Sequence, residues 1–463
     1  MFVARENELH RIKNYLTNRG AMIIYGLRRV GKTTLIKKAL DDEQIDYIYF
    51  ECQKADEETN VALFTSLLKE KYGFIDAEFK SFLSVFKEIK KNFHNIAIAI
   101  DEYSYLKQYY LESKKPETKL MASSIDSEFQ NIIDEYLGDN HLIISGSSIH
   151  IMEKLLDHNS PLYGRFEEII SLKQFNYYDA KKMLNKLNEK ELIAFYSVFG
   201  GSPFVLEKLD TNKTLKENIC HLLLSENGTL RNHLKNNVIN ELESDIDLNN
   251  ILNVIKNGSK KYGEIENKCH IETAGLLDKR LKKLMELDII EAKYPINREH
   301  DKRKKYYQIK DNLLKFYYAY VFREDNRINL LGEERYYDLY IRPSIGEFIA
   351  RRFENIVRDY FSLAIKKGLY QDIVDIGTFF TDQNEFDCVL KKNDDTYIIY
   401  EVKWLKNPLK ISEMHKEIAQ VKEIKGLDNI EVGFVSSSGY EEKINGISYL
   451  NLAELFFSKK VTK

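Results

Sequence analysis

Residues 26–34 read GLRRVGKTT, a GxxxxGK[ST] pattern whose residue types suit the holding of a polyphosphate. Gly26 and Gly31 let the backbone curl so that its N–H groups face phosphate oxygens, and a following helix N-terminus adds favourable partial charge. Lys32 can reach β- and γ-phosphates, and the Thr33 hydroxyl can ligate Mg²⁺. Arg29 and Thr34 complete the nucleotide-binding candidates of this loop. The flanks supply what such a loop requires, an apolar run AMIIY before it and the helical pattern LIKKAL after it.

A second apolar run, NIAIAIDEY at 95–103, ends in two carboxylates. At the carboxyl end of a buried strand Asp101 would hold the metal, and Glu102 would polarise an attacking water. A third run, HLIISGSS at 141–148, ends in small polar residues. Ser145 or Ser147 could sense the γ-phosphate, or the serines could simply close a strand. SPLYGRF at 160–166 offers Arg165 either as an arginine finger, from this chain or a neighbouring copy, or as a salt-bridged surface residue. A finger acting between copies would imply a homo-oligomer.

A different chemistry is written near the other end. In TYIIYEVKW, Glu401 and Lys403 are two apart and share one strand face, while the preceding run EFDCVL can bring Asp387 beside them across the turn NDD. An Asp followed by ExK on the next strand resembles the PD-(D/E)XK nuclease core. By that resemblance Asp387 and Glu401 would hold Mg²⁺, and Lys403 would orient the attacking water and stabilise the phosphorane. Glu354, on the amphipathic run GEFIARRFENIVRDYFSLAI, could add a metal contact, and Gln420, on EMHKEIAQVKEI, could support the lysine. No Pro-Asp precedes the hairpin, and such a domain can also persist as a scaffold without activity.

In their order, FVARENEL, GLRRVGKTTL, IAIDEYSYL, IISGSSIHIM, SPLYGRF and GGSPF resemble the archaeal-type ATPases, an AAA+/STAND-like branch of the P-loop ATPases. The resemblance covers about the first half of the chain. It implies ATP and Mg²⁺ as cofactors, an opening segment near the base with Ala4 where a glycine is usual, and a helical lid with Pro203 near the base. Members often carry a terminal domain of the acidic kind just described.

The elements that must position these groups follow from the patterning. Residues 177–242 are helical in pattern, interrupted by GGSPFVL, where Gly201 could take positive φ and Pro203 could open a helix. Residues 248–316 suggest a winged helix: three helix candidates, then a hairpin of IIEAKYPI and YYQIKD around NREHDKRKK. Lys279, Arg280, Lys282 and Lys283 on its third helix, with Lys302, Arg303, Lys304 and Lys305 at the wing, form a basic footprint for DNA, although such modules also bind proteins. The segment YSYLKQYYLESKKPETKLMASS after Glu102 is polar and weakly periodic, which predicts a long loop before an amphipathic helix. The predicted class is therefore α/β. It comprises a P-loop NTPase parallel sheet over 1–176, a helical lid over 177–246, a winged-helix domain over 247–318 and an α/β restriction-endonuclease-like domain over 319–463.

Composition narrows the rest. A net charge of −3 excludes a polycation, so any DNA surface must be local. Cys52, Cys220, Cys269 and Cys388 lie far apart without a CxxC pair, as reduced thiols do. The charged opening MFVARENELH and the lack of a membrane-length apolar run predict a cytoplasmic protein with no membrane partner. Two functional classes remain: an ATP-driven machine on DNA that cuts it, and a nucleotide-dependent regulatory switch binding protein partners.

Overall fold

Strands β1 (Gly20–Tyr25), β3 (Ala97–Asp101) and β4 (His141–Gly146) are buried almost throughout, as continuous apolar runs must be when both faces of a parallel sheet are covered. β2 (Tyr47–Glu51) and β5 (Phe166–Ser171) alternate between buried and exposed positions, and they form the edges of the five-stranded order β2-β3-β4-β1-β5. All pairings are parallel. The computed structural model describes residues 2–73, 78–236, 246–271, 275–297, 305–381, 384–424 and 430–457. The chain divides into two compact units, Met1–Gln174 and Phe175–Lys463, and this sheet is the centre of the first.

Helices Glu6–Leu16 and Lys32–Asp42 cover one face, where Leu35, Ile36, Ala39 and Leu40 bury against Met22, Ile24 and Ala99. The other face carries the helices Glu57–Tyr72, Phe82–Asn92, Tyr103–Leu111 and Pro116–Asn131. The last two replace the long loop expected after Glu102. Tyr103, Leu106 and Tyr110 fall at helical spacing and are buried, and Pro116 opens the next helix at a position where its missing N–H costs nothing. The tyrosines concealed the apolar stripe because they carry polar tips.

The second unit begins with short helices, among them Tyr177–Met183, Glu189–Phe199, Pro203–Leu206 and Thr229–Leu234. Gly200, and not Gly201, takes the positive φ (71°). Gly201 is needed for close approach, since a Cβ there would lie 1.8 Å from the Phe175 carbonyl oxygen. Helices Ile246–Ile255, Tyr262–Cys269 and Leu276–Glu286 accompany a three-stranded antiparallel sheet ordered β6-β8-β7, made of β6 (Lys260–Lys261), which lies between the first two helices, and of β7 (Ile290–Lys293) and β8 (Tyr306–Ile309), which follow the third. Lys302, Arg303 and Lys304 lie outside the described residues.

A second five-stranded sheet, ordered β13-β12-β11-β10-β9, is mixed. β9 (Ile373–Phe380), β10 (Glu385–Lys392) and β11 (Tyr397–Lys403) run antiparallel, whereas β12 (Ile430–Ser436) and β13 (Ser448–Asn451) are parallel to β11. The long amphipathic helix Ile345–Lys366 packs on β9, β10 and β11. The β9 edge is covered: the Ile296 N–H donates to the Thr378 carbonyl (2.8 Å), Asn297 donates to the Phe380 carbonyl (2.8 Å), and Tyr306 stacks on Phe380.

Within the first unit, two half-buried acids hold the opening of the helix Phe82–Asn92. The Phe82 N–H donates to Glu57 (3.1 Å) and the Leu83 N–H to Glu128. Burial, and then the neighbouring Glu128, push the Glu57 carboxyl from 4.5 up to about 8. The folded state therefore keeps a proton that the unfolded chain releases. The stability this carboxyl contributes is complete below its unfolded value and is lost as pH rises through its folded one. Glu57→Gln retains the acceptor without the charge. Thermal unfolding followed from about pH 5 to about pH 9 is expected to show a falling Tm for the parent and a flatter profile for the variant.

Candidate functional site

The loop after β1 needs glycine first for packing. A Cβ on Gly26 would lie 2.0 Å from the Leu172 carbonyl oxygen, because the Leu172 N–H donates to the Tyr25 carbonyl and draws the two segments together. Arg29 and Gly31 both take left-handed backbone, φ 66° and 94°, and the helix begins at Lys32. The Lys32 ammonium is buried and donates to the carbonyls of Gly26 (2.8 Å) and Leu27 (3.2 Å). Burial pushes its pKa down, while Glu102 and Asp101 oppose that shift. Thr33 and Thr34 stand exposed on the first turn.

Asp101 gathers the surrounding side chains. The buried Ser145 hydroxyl and the Glu102 N–H (2.9 Å) donate to one of its oxygens, and Thr33 donates to the other (3.2 Å). Tyr49, from β2, brings its phenol to the same carboxylate oxygen and to Thr33 Oγ1 (3.1 Å). Burial and then Asp101 push that phenol's pKa upward. Glu102 sits in left-handed backbone (φ 50°), where its carboxylate accepts from the Ser147 N–H (3.0 Å), the Ser147 hydroxyl (2.7 Å) and the Ser104 hydroxyl (3.2 Å). Both serines considered as phosphate sensors thus bind the acids: Ser145 holds Asp101, and Ser147 holds Glu102. A hydroxyl and a carboxylate this close are hard oxygen donors of the kind Mg²⁺ takes, so the donor set of Thr33 and Asp101 fits that ion.

The opening segment reaches this site through Arg5, which is buried and donates to the carbonyls of Val30 (3.2 Å) and Lys173 (2.5 Å). Ala4, where the resemblance implies a glycine, takes left-handed backbone (φ 59°). Arg165 is engaged within its own unit, paired with Asp134 (3.0 Å) and donating to the Pro161 carbonyl (2.8 Å). Pro203 opens a four-residue helix of the second unit. Tyr49 escaped the sequence analysis because one tyrosine on an edge strand looks like packing. Its only signal is a half-buried polar tip on the alternation YIYFE.

In the mixed sheet, Cys388 pairs with Tyr400, which sets Asp387 and Glu401 one step further on facing strands. Lys403 pairs with Glu401 (3.3 Å) and with Glu417 (2.7 Å), so the helix Ile411–Lys422 supports the lysine through Glu417 and not through Gln420, one turn later. Burial raises Asp387, against Arg358 and Lys403, and raises Glu401, against Lys403. Glu354 is pushed up to about 8 by burial and then by Asp387. Among the described residues no three Asp, Glu, His or Cys side chains converge as a metal-ligating group.

Comparison with known proteins bears on the domain that contains the first site. Residues 2–209 match the family model of an ATPase domain predominantly from Archaea, and residues 317–419 match one described as "Archaea bacterial proteins of unknown function". Residues 2–209 thus carry an ATPase domain of the kind found predominantly in Archaea. An uncharacterized protein of Methanocaldococcus jannaschii is 28% identical over 96% of this chain and 98% of its own. Among solved structures, the Walker-type ATPase of Pyrococcus abyssi aligns with a TM-score of 0.51 at 19% identity, over 68% of this chain and 96% of that one. The ORC2 protein of Aeropyrum pernix, in its ADPNP–ADP complexes, aligns at 0.46 and 12%, over 71% and 95%. The Pyrococcus likeness speaks to the fold alone.

Left-handed backbone costs an alanine roughly 1–2 kcal/mol, of which a glycine's greater unfolded-state freedom offsets part. Ala4→Gly is accordingly expected to stabilise the chain by about 0.5–1 kcal/mol, read as a Tm rise of a few degrees, with nucleotide affinity unchanged or improved.

Proposed function

We propose that this ATPase acts on DNA: nucleotide turnover in the first unit drives a second unit that grips DNA through its basic helix and cuts it at the mixed sheet. The juxtaposition of Asp387, Glu401 and Lys403 carries the proposal, since two acids and a lysine at one end of facing strands are what metal-assisted phosphodiester hydrolysis requires. Mg²⁺ there would supply charge neutralisation for the scissile phosphate. Asp387 and Glu401 would hold it, with water and phosphate oxygens completing its shell, as that ion commonly prefers. Lys403, kept in place by Glu417, would present its ammonium to the developing charge.

In the ATPase unit Thr33 and Asp101 would hold the nucleotide's Mg²⁺, which neutralises the phosphates, and Lys32 would turn from the loop carbonyls to the phosphates. Glu102, fixed by Ser147 and Ser104, would orient water. Arg29 and Thr34 would complete the nucleotide's surroundings within the first unit. Arg165, released from Asp134, would serve as a finger between copies in a homo-oligomer, and specific ATPase activity would then rise with protein concentration.

The three helices and small antiparallel sheet of residues 246–309 support a winged-helix module. Its helix Leu276–Glu286 buries Leu277, Leu281 and Leu284 and exposes Lys279, Lys282 and Lys283. Arg280 does not belong to that face, because it turns inward to pair with Asp247. This loss of a cation favours the second reading, a regulatory switch with protein partners and a non-cutting scaffold.

One experiment separates the two. The pure chain is incubated with plasmid, linear and single-stranded DNA and RNA, with Mg²⁺ or Mn²⁺, with and without ATP, beside Lys403→Ala. The expected result is DNA cleavage that falls about 100-fold or more in the variant, with DNA affinity that drops steeply as salt rises. Absence of cleavage on every substrate would select the switch.

A further inference from the structure

The second unit contains a cavity of about 340 Å³ that the ATPase and acidic sites do not use. It lies between the start of the long helix Ile345–Lys366, the end of the helix Asn312–Tyr320 and the residues that follow the helix Ile246–Ile255. Its size falls in the roughly 300–1,000 Å³ range of small-molecule sites.

Its wall carries three cations, Lys256, Arg351 and Arg352, against one carboxylate, Glu347. Arg351 already answers that carboxylate and also donates to the Asn257 carbonyl. Arg352 has no such partner. It is 4% exposed, its Nε has no hydrogen-bond acceptor among the described residues, and no carboxylate among them pairs with its guanidinium. Its guanidinium lies over the Phe348 ring, 5.3 Å from the centroid, which gives it a stacking surface and no counter-charge. Glu354, whose field it feels most, is two residues further along the helix and so projects from the far side. Lys315 is also buried, and burial and then Arg352 push its pKa well down, so the positive charge of this region rests on the arginines and Lys256.

A buried guanidinium without a counter-charge is among the most costly arrangements a folded chain can hold, so a resident anion would relieve a large penalty. The wall's excess of two positive charges matches a dianion better than a monocarboxylate. The planar fork of an arginine suits the tetrahedral oxygens of a phosphate, and the hydroxyls of Ser344 and Tyr320, bonded to each other at 2.9 Å, can turn to donate as well. The rings of Phe348 and Tyr320 offer an apolar wall for whatever the phosphate is attached to. We propose that this cavity is a binding site for a small phosphomonoester, with Arg352 as its principal phosphate ligand and Lys256 and Ser344 as supporting ones. It is separate from the nucleotide loop and gives the second unit a ligand of its own.

The test uses the full chain in a Lys32→Ala background, so that phosphate binding at the nucleotide loop does not contribute. Thermal unfolding is followed against sodium phosphate, adenosine monophosphate and sodium acetate at matched ionic strength. Phosphate and the monophosphate are expected to raise Tm saturably, the second more if the aromatic wall takes part, and acetate is expected to do nothing. Adding Arg352→Met should leave Tm in anion-free buffer equal or higher, since an uncompensated charge has gone, and should abolish the phosphate-dependent rise. Lys256→Glu, on the rim, provides a variant that spares the interior, and it should weaken phosphate about tenfold or more. The proposal is overturned if phosphate and the monophosphate leave Tm unmoved, or if their effect survives both substitutions. It is also overturned if Arg352→Met lowers Tm in anion-free buffer while Lys256→Glu leaves phosphate affinity intact, since Arg352 would then be a structural residue.

Discussion

A carboxylate buried at the end of a parallel strand, Asp101, is the constraint around which the ATPase unit is arranged. Removing such a charge from water costs several kcal/mol unless donors replace the lost solvation. Here the donors come from four places: the backbone of Glu102, the end of β4 through Ser145, the nucleotide loop through Thr33, and the edge strand β2 through Tyr49. That convergence depends on register. Glu51 lies level with Asp101 and Ile144 level with Ile100, so the carboxyl ends of the strands finish together and their terminal side chains meet. A one-residue slip in any of these strands would send those side chains to the opposite face and leave the acid without partners.

The acids of the mixed sheet live under a different balance. Asp101 is surrounded by neutral donors that hold its geometry. Asp387 and Glu401 are opposed by few positive groups, and one of these, Lys403, is divided between Glu401 and Glu417. Burial raises both carboxyls because their surroundings provide too little positive charge. The first arrangement fixes a shape in advance. The second gains most when a cation joins it.

Much of the ATPase unit could be read from the sequence, because its signals are local. Strand, glycine loop and helix adjoin one another, and Asp101 with Glu102 closes an uninterrupted apolar run. The acid pair of the mixed sheet was legible for the same reason, with EFDCVL and YIIYEVKW two sides of one hairpin. What was not legible is the choice of partner across the fold. Whether Arg280 faces solvent or Asp247, and whether Lys403 meets Glu417 or Gln420, depends on helix rotation by a fraction of a turn, which residue types do not specify. The helix Tyr103–Leu111 was missed because tyrosine weakens an apolar periodicity while still burying its ring, whereas Pro116–Asn131 begins earlier than the amphipathic helix expected there. Arg352 sits inside a run of charges, where nothing in the sequence separates it from the exposed Arg351 beside it.

The covered edge of β9 also has a mechanical side. Residues 296–297, which follow β7, are hydrogen-bonded to Thr378 and Phe380, and β9 is in turn bonded to β10, the strand that bears Asp387. At Gly377 the two segments approach closely, since a methyl group there would strike Ile296. The small antiparallel sheet and the acidic strand are thus links of one hydrogen-bonded chain loaded in series. A displacement of residues 296–297 would therefore reach the strand of Asp387 through β9.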